Sequence, residues 1–348
     1  MPLSVDIKKK LGNFQLQVQF ETETERLALL GVSGCGKSVT LRCIAGIIKP
    51  DEGKIVLDGT TLFDSAAKVN LPPQRRRVGY LFQQYALFPH MTAAQNIAAA
   101  VRERTKREEI VNRLLRRFQL EQAAGLRPGQ LSGGQQQRTA LARILASEPK
   151  ALLLDEPFSA LDSFLKYQLE TELLDTLDRF SGTVLWVSHD QGEVFRNCRR
   201  VCVIEGGRSG PVQSLRELFH APDTETAARL SGCKNYADAV PKGDKVYLPE
   251  WNLTLNCGRP VPNGVRRMGV RAHFVTPAEG QEENTFSCSV LRAVEDVFNT
   301  IVLLRPEGAE PDAPLLRMEL EKMAWRAIQP KERLLVSICP WDILLFER

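Results

Sequence analysis

The sequence predicts an α/β domain, in which helices cover a parallel sheet on both faces, followed by a smaller all-β domain. Three observations support this prediction. Continuous apolar runs alternate with helical stretches over roughly the first 230 residues. A glycine-rich loop joins one apolar run directly to a helical stretch. Beyond residue 230, proline and glycine recur between short β-rich segments, which is typical of all-β folds.

The first elements alternate between strands and turns. Residues 13–20 alternate strictly between polar and apolar, which predicts a half-buried strand. Residues 26–30 predict a buried strand, and residues 39–45 have the pattern of a helix. Residues 54–57, between two glycine-containing turns, predict one strand of a small antiparallel hairpin beside the main sheet.

The middle of the chain is predicted to be mainly helical. This region runs from about residue 92 to residue 146 and includes a charged amphipathic stretch at 101–118. Two apolar runs, 151–154 and 183–187, then predict further strands of the parallel sheet. We therefore expect a first domain at 1–230 with a helical subdomain at about 88–148.

The last part of the chain, 231–348, is expected to be a second domain. Its β-rich segments at 285–291 and 334–339 lie between proline- and glycine-containing turns. This punctuation favours a small barrel.

Composition excludes few functions. The chain has 348 residues, of which 43% are hydrophobic and 25% are charged, as expected of a globular protein with its own core. The net charge of +4 gives no argument for nucleic acid as a partner. Two basic runs, at 75–77 and within 102–117, are interpreted as solvated surface.

No apolar run approaches the roughly 18–20 residues that a membrane-spanning helix needs. The first ten residues lack the apolar region of a secretory signal. Eight cysteines are scattered without a C-x-x-C pair and are interpreted as buried small hydrophobic residues. We therefore expect a cytosolic chain that meets a membrane only through a partner.

The glycine-rich loop at 31–38, Gly-Val-Ser-Gly-Cys-Gly-Lys-Ser, matches the phosphate-loop pattern G-x-x-x-x-G-K-[ST]. Glycines in such a loop let successive backbone N–H groups converge on phosphate oxygens. Lys37 is expected to reach the β- and γ-phosphates, and the Ser38 hydroxyl to ligate Mg²⁺. The preceding strand and the following helix provide the context that this motif requires, so we expect a nucleoside triphosphate site.

Polar residues follow two of the predicted strands, where open α/β sheets place ligands. Asp155 is expected to hold Mg²⁺ through its water shell, and Glu156 to act as general base or to position the attacking water. His189 is expected at the γ-phosphate, the alternative being a capped turn residue. Gln83 is a weaker candidate for positioning water and metal, the alternative being an ordinary loop hydrogen bond.

A second glycine-rich segment, Leu-Ser-Gly-Gly-Gln at 131–135, precedes a helix that is predicted to reach about Ala146. Ser132 suits the N-cap, and Gly133 and Gly134 leave the first N–H groups of the helix accessible to an anion. The alternative is an ordinary helix start with flexible glycines. Because the chain already has a triphosphate site at 31–38, a second phosphate-binding helix start implies that it serves another copy's nucleotide.

Together these motifs resemble the ATP-binding subunit of an ABC transporter over roughly residues 1–230. The matching positions, in order, are 31–38, Gln83, 131–135, Asp155 with Glu156, 159–162 and His189. The resemblance implies an α/β P-loop NTPase of ABC type, with helical and antiparallel β-subdomains. It also implies a head-to-tail homodimer that encloses two ATP molecules.

The resemblance assigns a role to each position. ATP-binding residues would be Phe14, Gly31, Val32, Ser33, Gly34, Cys35, Gly36, Lys37, Ser38 and Val39, joined in trans by Ser132, Gly133, Gly134, Gln135 and Asp162. Catalytic residues would be Glu156, His189 and Gln83, and Mg²⁺ would be held by Ser38, Gln83 and Asp155. Phe14 is the candidate for stacking on adenine, and a core-facing strand residue is the equal alternative.

The resemblance further implies a pair of transmembrane permease subunits, an indirect link to a substrate-binding protein, and a peripheral location on the cytoplasmic face of the membrane. Residues 75–80 and 84–91 resemble importers that use a binding protein. Residues 10–14, 71–76 and 230–235 resemble molybdate importers. Sulfate, tungstate, iron and polyamine importers are the alternatives.

The β-rich domain at 231–348 is similar to the OB/MOP-like barrels of this subgroup. It would either brace the dimer or bind the imported oxyanion. Ser231, Lys234 and Asn235 are the candidate oxyanion donors, with ordinary turn residues as the alternative.

Other classes fit less well. The ATPase head of a DNA-maintenance protein would carry a long heptad insertion between the two glycine-rich segments, and residues 39–130 lack one. A soluble translation factor of the tandem ABC type would carry two motif sets in one chain. A P-loop kinase would lack the segment at 131–135.

Overall fold

The computed structural model describes residues 2–82, 84–158, 163–280, 282–328 and 332–347. The fold divides into two compact units, Met1–Leu215 and Arg216–Arg348. The sequence predicted a domain boundary at 230/231. The boundary between the two units comes earlier, at 215/216, so residues 216–230 belong to the second unit.

The described part of the first unit contains one 11-stranded sheet. Its strands are β1 (Leu3–Leu11), β2 (Phe14–Thr22), β3 (Arg26–Leu30), β4 (Glu52–Leu57), β5 (Thr60–Asp64), β6 (Val69–Asn70), β7 (Val78–Leu81), β8 (Ala151–Asp155), β9 (Thr183–Val187), β10 (Arg200–Glu205) and β11 (Arg208–Ser214). Their spatial order is β6-β5-β4-β1-β2-β11-β10-β3-β9-β8-β7.

The sheet has a parallel half and an antiparallel half. Strands β10, β3, β9, β8 and β7 run parallel, and β8 and β9 are buried along their whole length. This agrees with their continuous apolar sequences. The predicted hairpin, β4–β5, joins the main sheet through β1, which pairs with both β4 and β2.

Six helices of the first unit accompany the sheet in the described residues: α1 (Lys37–Ala45), α2 (Ala93–Ala98), α3 (Arg107–Arg117), α4 (Gly133–Ala146), α5 (Ser163–Leu177) and α6 (Gln191–Asn197). Helices α2, α3 and α4 pack on one another in the region predicted to be helical. One face of α3 buries Ile110, Val111, Leu114 and Leu115, as its amphipathic pattern predicts. Its arginines are exposed.

The second unit is an antiparallel β structure with short helices. Its elements are α7 (Leu215–His220), α8 (Glu225–Leu230), β12 (Asn235–Asp238), β13 (Val240–Lys242), β14 (Lys245–Leu248), β15 (Leu253–Asn256), β16 (Arg267–Val270), β17 (Val275–Pro277), β18 (Phe286–Glu295), β19 (Asn299–Pro306), β20 (Leu316–Glu321), α9 (Lys322–Ile328), β21 (Arg333–Ile338) and β22 (Leu344–Phe346).

A five-stranded sheet, β17-β21-β18-β19-β20, curls until its edge strands β17 and β20 touch. The result is a nearly closed, barrel-like domain, which confirms the predicted α/β domain followed by an all-β domain. Two three-stranded sheets, β12-β16-β22 and β13-β14-β15, complete the unit. Its core includes Trp251, Met268 and Val336, which are fully buried.

Seven of the eight cysteines are buried, and Cys339 is exposed. Burial raises the pKa of Cys198, Cys202 and Cys288 to about 12, so these thiols are protonated and pack as apolar groups. In the described part of the chain, no helix combines the length and the apolar character needed to cross a bilayer.

Candidate functional site

The carboxyl ends of β3, β8 and β9 meet at one edge of the sheet, and a cleft of about 390 Å³ lies there. The described residues that line it are Phe14, Gly31, Ser33, Gly34, Gly36, Lys37, Ser38, Val39, Glu156 and His189. Four separate parts of the chain, each singled out by sequence, therefore meet in one cavity. Its volume is typical of small-ligand sites.

The phosphate loop requires its glycines for two reasons. Gly34 and Gly36 have φ values of +81° and +109°, in the region that favours glycine. A Cβ atom on Gly36 would lie 2.5 Å from Cδ1 of Leu16, and one on Gly31 would lie 2.3 Å from the carbonyl oxygen of Ile204. The loop thus follows a backbone path that other residues would obstruct.

The start of α1 is open to an anion. Gly36 is the N-cap of α1 and contributes no side-chain capping hydrogen bond, and no acidic residue lies in the first turn. The first N–H groups of a helix have no partner within the helix, and the helix dipole favours negative charge at this end. Phosphate oxygens would satisfy both preferences.

Lys37 lies inside the loop. Its ammonium group donates hydrogen bonds to the carbonyl oxygens of Gly31, at 2.7 Å, and Val32, at 3.1 Å. Neutral carbonyl acceptors hold an ammonium group less strongly than phosphate does. Lys37 is therefore positioned to exchange these bonds for bonds to a nucleotide.

Asp155 ends β8 and is hydrogen-bonded through both carboxylate oxygens. Ser38 donates to Oδ1 at 2.9 Å, and the hydroxyl of Tyr80 on β7 donates to Oδ2 at 2.7 Å. Burial and the nearby carboxylate raise the pKa of Tyr80, so its hydroxyl stays a donor. Tyr80 was not assigned a role from sequence, because its contact with Asp155 depends on the pairing of β7 with β8.

The donors around Asp155 fit Mg²⁺. The Ser38 hydroxyl and the Asp155 carboxylate are hard oxygen ligands within hydrogen-bond distance of each other, beside the phosphate loop. Gln83, the third predicted metal ligand, lies outside the described residues.

Glu156 has a left-handed backbone conformation, with φ of +49°. Its N–H donates to the carbonyl oxygen of Val187, at 2.9 Å, which holds this turn against the end of β9. A non-glycine residue in this region costs about 1–3 kcal/mol, and such strain is concentrated at functional sites. The turn brings Oε2 of Glu156 to 3.5 Å from Nδ1 of His189, whose side chain is 69% exposed.

The loop carrying His189 is anchored by a cluster of charged residues. Asp190 caps α6 by accepting a hydrogen bond from the N–H of Glu193 at 3.0 Å. Lys166 of α5 pairs with Asp190 and, at 3.2 Å, with Glu193. The indole N–H of Trp186 donates to Glu193 at 2.7 Å. This cluster ties the His189 loop to α5, the helix that follows residues 159–162.

Lys166 was not identified from sequence. Asp190 lies 24 residues further along the chain, and no motif contains both residues. Only the packing of α5 against the start of α6 brings them together.

The segment at 131–135 forms a closed helix start outside the cleft. Ser132 caps α4, accepting from the N–H of Gln135 at 3.2 Å, while Oε1 of Gln135 accepts from the N–H of Ser132 at 3.0 Å. The predicted N-cap is confirmed. Ser132 and Gly133 are exposed, and none of residues 131–135 is among the described residues that line the cleft. Asp162, the other residue expected in trans, lies outside the described residues.

Three further residues that were predicted to bind ATP occupy different environments. Phe14 lines the cleft, and it also packs against the core of the sheet, so its position agrees with both interpretations made from sequence. Val32 is exposed, and Cys35 is buried with its sulfur 3.7 Å from Nζ of Lys37. Neither Val32 nor Cys35 lines the cleft wall.

The candidate oxyanion donors of the second unit make internal hydrogen bonds. Ser231 is buried, and its carbonyl and hydroxyl oxygens accept from Arg271. The side chain of Asn235 makes two hydrogen bonds to the backbone of Arg317, at 2.8 and 2.7 Å. Lys234 is exposed. The structure does not gather these three side chains around one anion site.

Comparison with known proteins identifies relatives. The family model described as ABC transporter matches residues 14–159. The sulfate/thiosulfate import ATP-binding protein CysA of Mannheimia succiniciproducens is 33% identical over an alignment that covers 99% of this chain and 98% of that protein. The molybdate/tungstate import ATP-binding protein WtpC of Archaeoglobus fulgidus is 42% identical and covers 66% of this chain and 95% of that protein.

Polyamine import ATP-binding proteins are also similar, and this chain spans 56–64% of their length. Among solved structures, the chain is similar to the dimeric post-hydrolysis state of the ATP-binding cassette MJ0796 bound to ADP and Pi. That likeness has a TM-score of 0.52 and 30% identity, and it covers 62% of this chain and 99% of the other.

Proposed function

The chain belongs to the ABC transporter family, as an ATP-binding subunit of the import type, and from this premise we propose that it hydrolyses ATP to drive uptake of an oxyanion. Molybdate is the first candidate substrate. Proteins of this kind are ATPases, and the cleft at the phosphate loop has the parts that hydrolysis needs.

In this proposal, Lys37 and the N–H groups at the start of α1 hold the β- and γ-phosphates. Glu156 accepts a hydrogen bond from the attacking water and takes its proton as the water oxygen bonds to the γ-phosphorus and the bond to ADP breaks. His189, 3.5 Å from Glu156, would contact the γ-phosphate. Mg²⁺ held near Ser38 and Asp155 would reduce the negative charge on the phosphates.

The segment at 131–135 completes the site from a second copy. Its place outside the cleft of its own chain supports this assignment, since Ser132 and Gly133 are exposed and none of residues 131–135 is among the described residues that line that cleft. Two copies arranged head to tail would each offer α4 to the other's nucleotide. The dimer of the similar cassette, bound to ADP and Pi, is a further argument for this arrangement.

The oxyanion class rests on one observation. Two relatives named for sulfate and thiosulfate align over 99% and 91% of this chain, whereas two relatives named for polyamines align over 68% and 63% of it. Because the described residues that line the nucleotide cleft all belong to the first unit, we take similarity in the second unit as information on the kind of importer.

Within the oxyanions, two candidates have specific support. The local likenesses at 10–14, 71–76 and 230–235 favour molybdate. Sulfate is the second candidate, because full-length alignment with proteins named for sulfate supports it. Tungstate, iron and polyamines are further alternatives.

The second unit is proposed to brace the dimer. Ser231 and Asn235 already use their polar groups within the fold, so an oxyanion would have to displace those bonds. The partners proposed for the complex are a second copy of this chain, a permease pair and, indirectly, a substrate-binding protein, with this subunit at the cytoplasmic face of the membrane.

The test is transport by the complete complex. The chain, its permease and its binding protein are reconstituted in liposomes with internal ATP, and uptake of molybdate, tungstate, sulfate and spermidine is measured. We expect ATP-dependent uptake of an oxyanion, with molybdate first, and loss of uptake when the complex carries Glu156→Gln. Preferential uptake of spermidine would overturn the oxyanion proposal.

A further inference from the structure

A second cleft lies at the opposite edge of the parallel strands. It has a volume of about 460 Å³ and lies where β7, β8 and β9 begin. Its cationic lining residues are Arg77, Arg113, Arg117, Lys150 and Arg179, against one carboxylate, that of Glu148. We call it the arginine cleft.

The two basic runs of the sequence converge on this cleft. Arg77 ends the run at 75–77, and Arg113 and Arg117 belong to the run within 102–117. Spacing of four residues places Arg113 and Arg117 on the same side of α3. These three residues therefore line one cavity, although the sequence suggested two unrelated solvated surfaces.

Most of this positive charge is uncompensated. Lys150 pairs with Asp58, at 2.5 Å. Within the described residues, no carboxylate lies at ion-pair distance from Arg77, Arg113, Arg117 or Arg179. The pKa of Arg117 is lowered by burial and then by the positive charges of Arg179 and Arg113, so the arginines are close enough to repel one another.

The hydrogen bonding of Arg77 also indicates that the cleft can accept an anion. Its Nη2 donates to the carbonyl oxygen of Glu148 at 3.1 Å, whereas its Nε is buried and has no hydrogen-bond partner among the described residues. A buried donor without an acceptor is costly, and an anion would satisfy it. Arg117 and Arg179 also line a neighbouring hollow with Glu172 and Asp175, but neither carboxylate lies at ion-pair distance from these arginines.

The wall of the cleft also has an apolar part, formed by Ile110, Leu114, Leu145 and Phe180. Arginine guanidinium groups match the geometry of phosphate, and the cavity size suits a small molecule. We propose that the arginine cleft binds a phosphate ester, whose anionic group faces the arginines and whose organic part contacts the apolar wall. The source is either a soluble phosphorylated compound or a phospholipid headgroup.

The first test uses pyrophosphate as the probe and calorimetry as the measurement. Lys37→Ala is the background, because it weakens the phosphate loop as a competing site. Adding Arg113→Ala and Arg117→Ala is expected to weaken pyrophosphate binding at least about tenfold. The matched control adds Arg107→Ala and Arg116→Ala, which remove the same charge from exposed positions of α3 that do not line the cleft.

We expect the control to bind within about twofold of the Lys37→Ala background, and circular dichroism to show that all variants are folded. Absence of saturable binding to the background protein would overturn the proposal. An equal loss in the control would also overturn it, because net charge rather than the cleft would then be responsible.

The second test identifies the source. Sedimentation with phosphatidylcholine vesicles, with and without phosphatidic acid, is compared for the wild-type chain and the two double variants. Binding that needs phosphatidic acid and is lost only without Arg113 and Arg117 supports a headgroup. Pyrophosphate binding at the cleft without vesicle binding supports a soluble ligand. Vesicle binding that persists in the cleft variant counts against the headgroup.

Discussion

Two glycine-rich segments of this chain each begin a helix, but the two helix starts differ. In the phosphate loop, Gly36 caps α1 without a side-chain hydrogen bond, and the loop lies in the cleft with Glu156 and His189. In the segment at 131–135, Ser132 and Gln135 cap α4 through reciprocal hydrogen bonds, and the segment lies outside that cleft. The first helix start has no side-chain cap and lies in the cleft of its own subunit. The second has a complete side-chain cap and is exposed to solvent.

The difference between the two helix starts shows that glycines before a helix do not by themselves form a triphosphate site. The phosphate loop shares one cavity with its buried lysine, with Glu156 after β8 and with His189 after β9, and its Ser38 donates a hydrogen bond to Asp155 at the end of β8. The segment at 131–135 has a capped, exposed helix start, and none of its residues is among the described residues that line this cavity. This contrast supports the proposal that the second segment acts on the nucleotide of another copy.

The largest expected effect is at Glu156, beside the phosphate loop. Glu156→Gln removes the proposed proton acceptor and keeps the side-chain size, so we expect ATP hydrolysis to fall about 10²- to 10⁴-fold. ATP binding persists, and the ATP-bound dimer accumulates, as measured by phosphate release and size-exclusion chromatography. The exposed Glu121→Gln serves as the control. Unchanged turnover in Glu156→Gln would remove Glu156 from the mechanism.

The next effect separates the two segments directly. Ser132→Arg places a bulky cation at the exposed start of α4, so we expect turnover to fall more than about tenfold while ATP affinity of the monomer changes less than about twofold. The control is Thr92→Arg, which breaks the same type of cap at α2. Cap loss alone costs about 1 kcal/mol in both variants. Loss of ATP binding to the Ser132→Arg monomer would assign this segment to its own chain's nucleotide.

A smaller effect is expected at Lys166. Lys166→Met leaves the buried Glu193 and its neighbour Asp190 without their cation, which loosens the loop carrying His189. We expect turnover to fall about fivefold at saturating ATP with little change in ATP affinity. Tyr167→Ala is the control, because Tyr167 is adjacent on α5 and 73% exposed. If both variants behaved alike, the charged cluster would have no role in positioning His189.

The smallest effect is expected at Tyr80. Tyr80→Phe removes one of the two hydrogen bonds to Asp155 while Ser38 keeps the other. We expect about a two- to threefold rise in the Mg²⁺ concentration for half-maximal turnover, which corresponds to a net hydrogen-bond energy at the lower end of the usual range. Tyr85→Phe is matched to it, since the buried hydroxyl of Tyr85 has no hydrogen-bond partner in the described residues. A larger effect at Tyr85 would contradict this assignment.

Local sequence predicted much of the first unit. Strand β3 has the predicted bounds, and the helix predicted at 39–45 begins two residues earlier, at Lys37. Strand β1 was not predicted, although it links the hairpin to the main sheet. Its apolar residues Leu3, Val5 and Ile7 alternate with polar residues, and the three lysines before Leu11 interrupt this alternation. Pairing with β2 and β4 decides its conformation.

The motifs of the nucleotide site were visible in sequence because each depends on neighbouring residues: glycines at fixed spacing, a lysine next to a serine, two acids at a strand end, an N-cap followed three residues later by glutamine. These are short-range requirements of backbone geometry and hydrogen bonding. Sequence alone therefore determined the α/β class, the phosphate loop and the capped helix start at Ser132.

Tertiary structure decided the rest, because those features depend on which distant residues meet. It placed Tyr80 on Asp155, Lys166 on Asp190, and Glu156 beside His189. It also joined two basic runs into the arginine cleft and directed Ser231 and Asn235 into internal hydrogen bonds. Such contacts form across the sheet and between helices. They join residues that are far apart in the sequence, so no local sequence pattern predicts them.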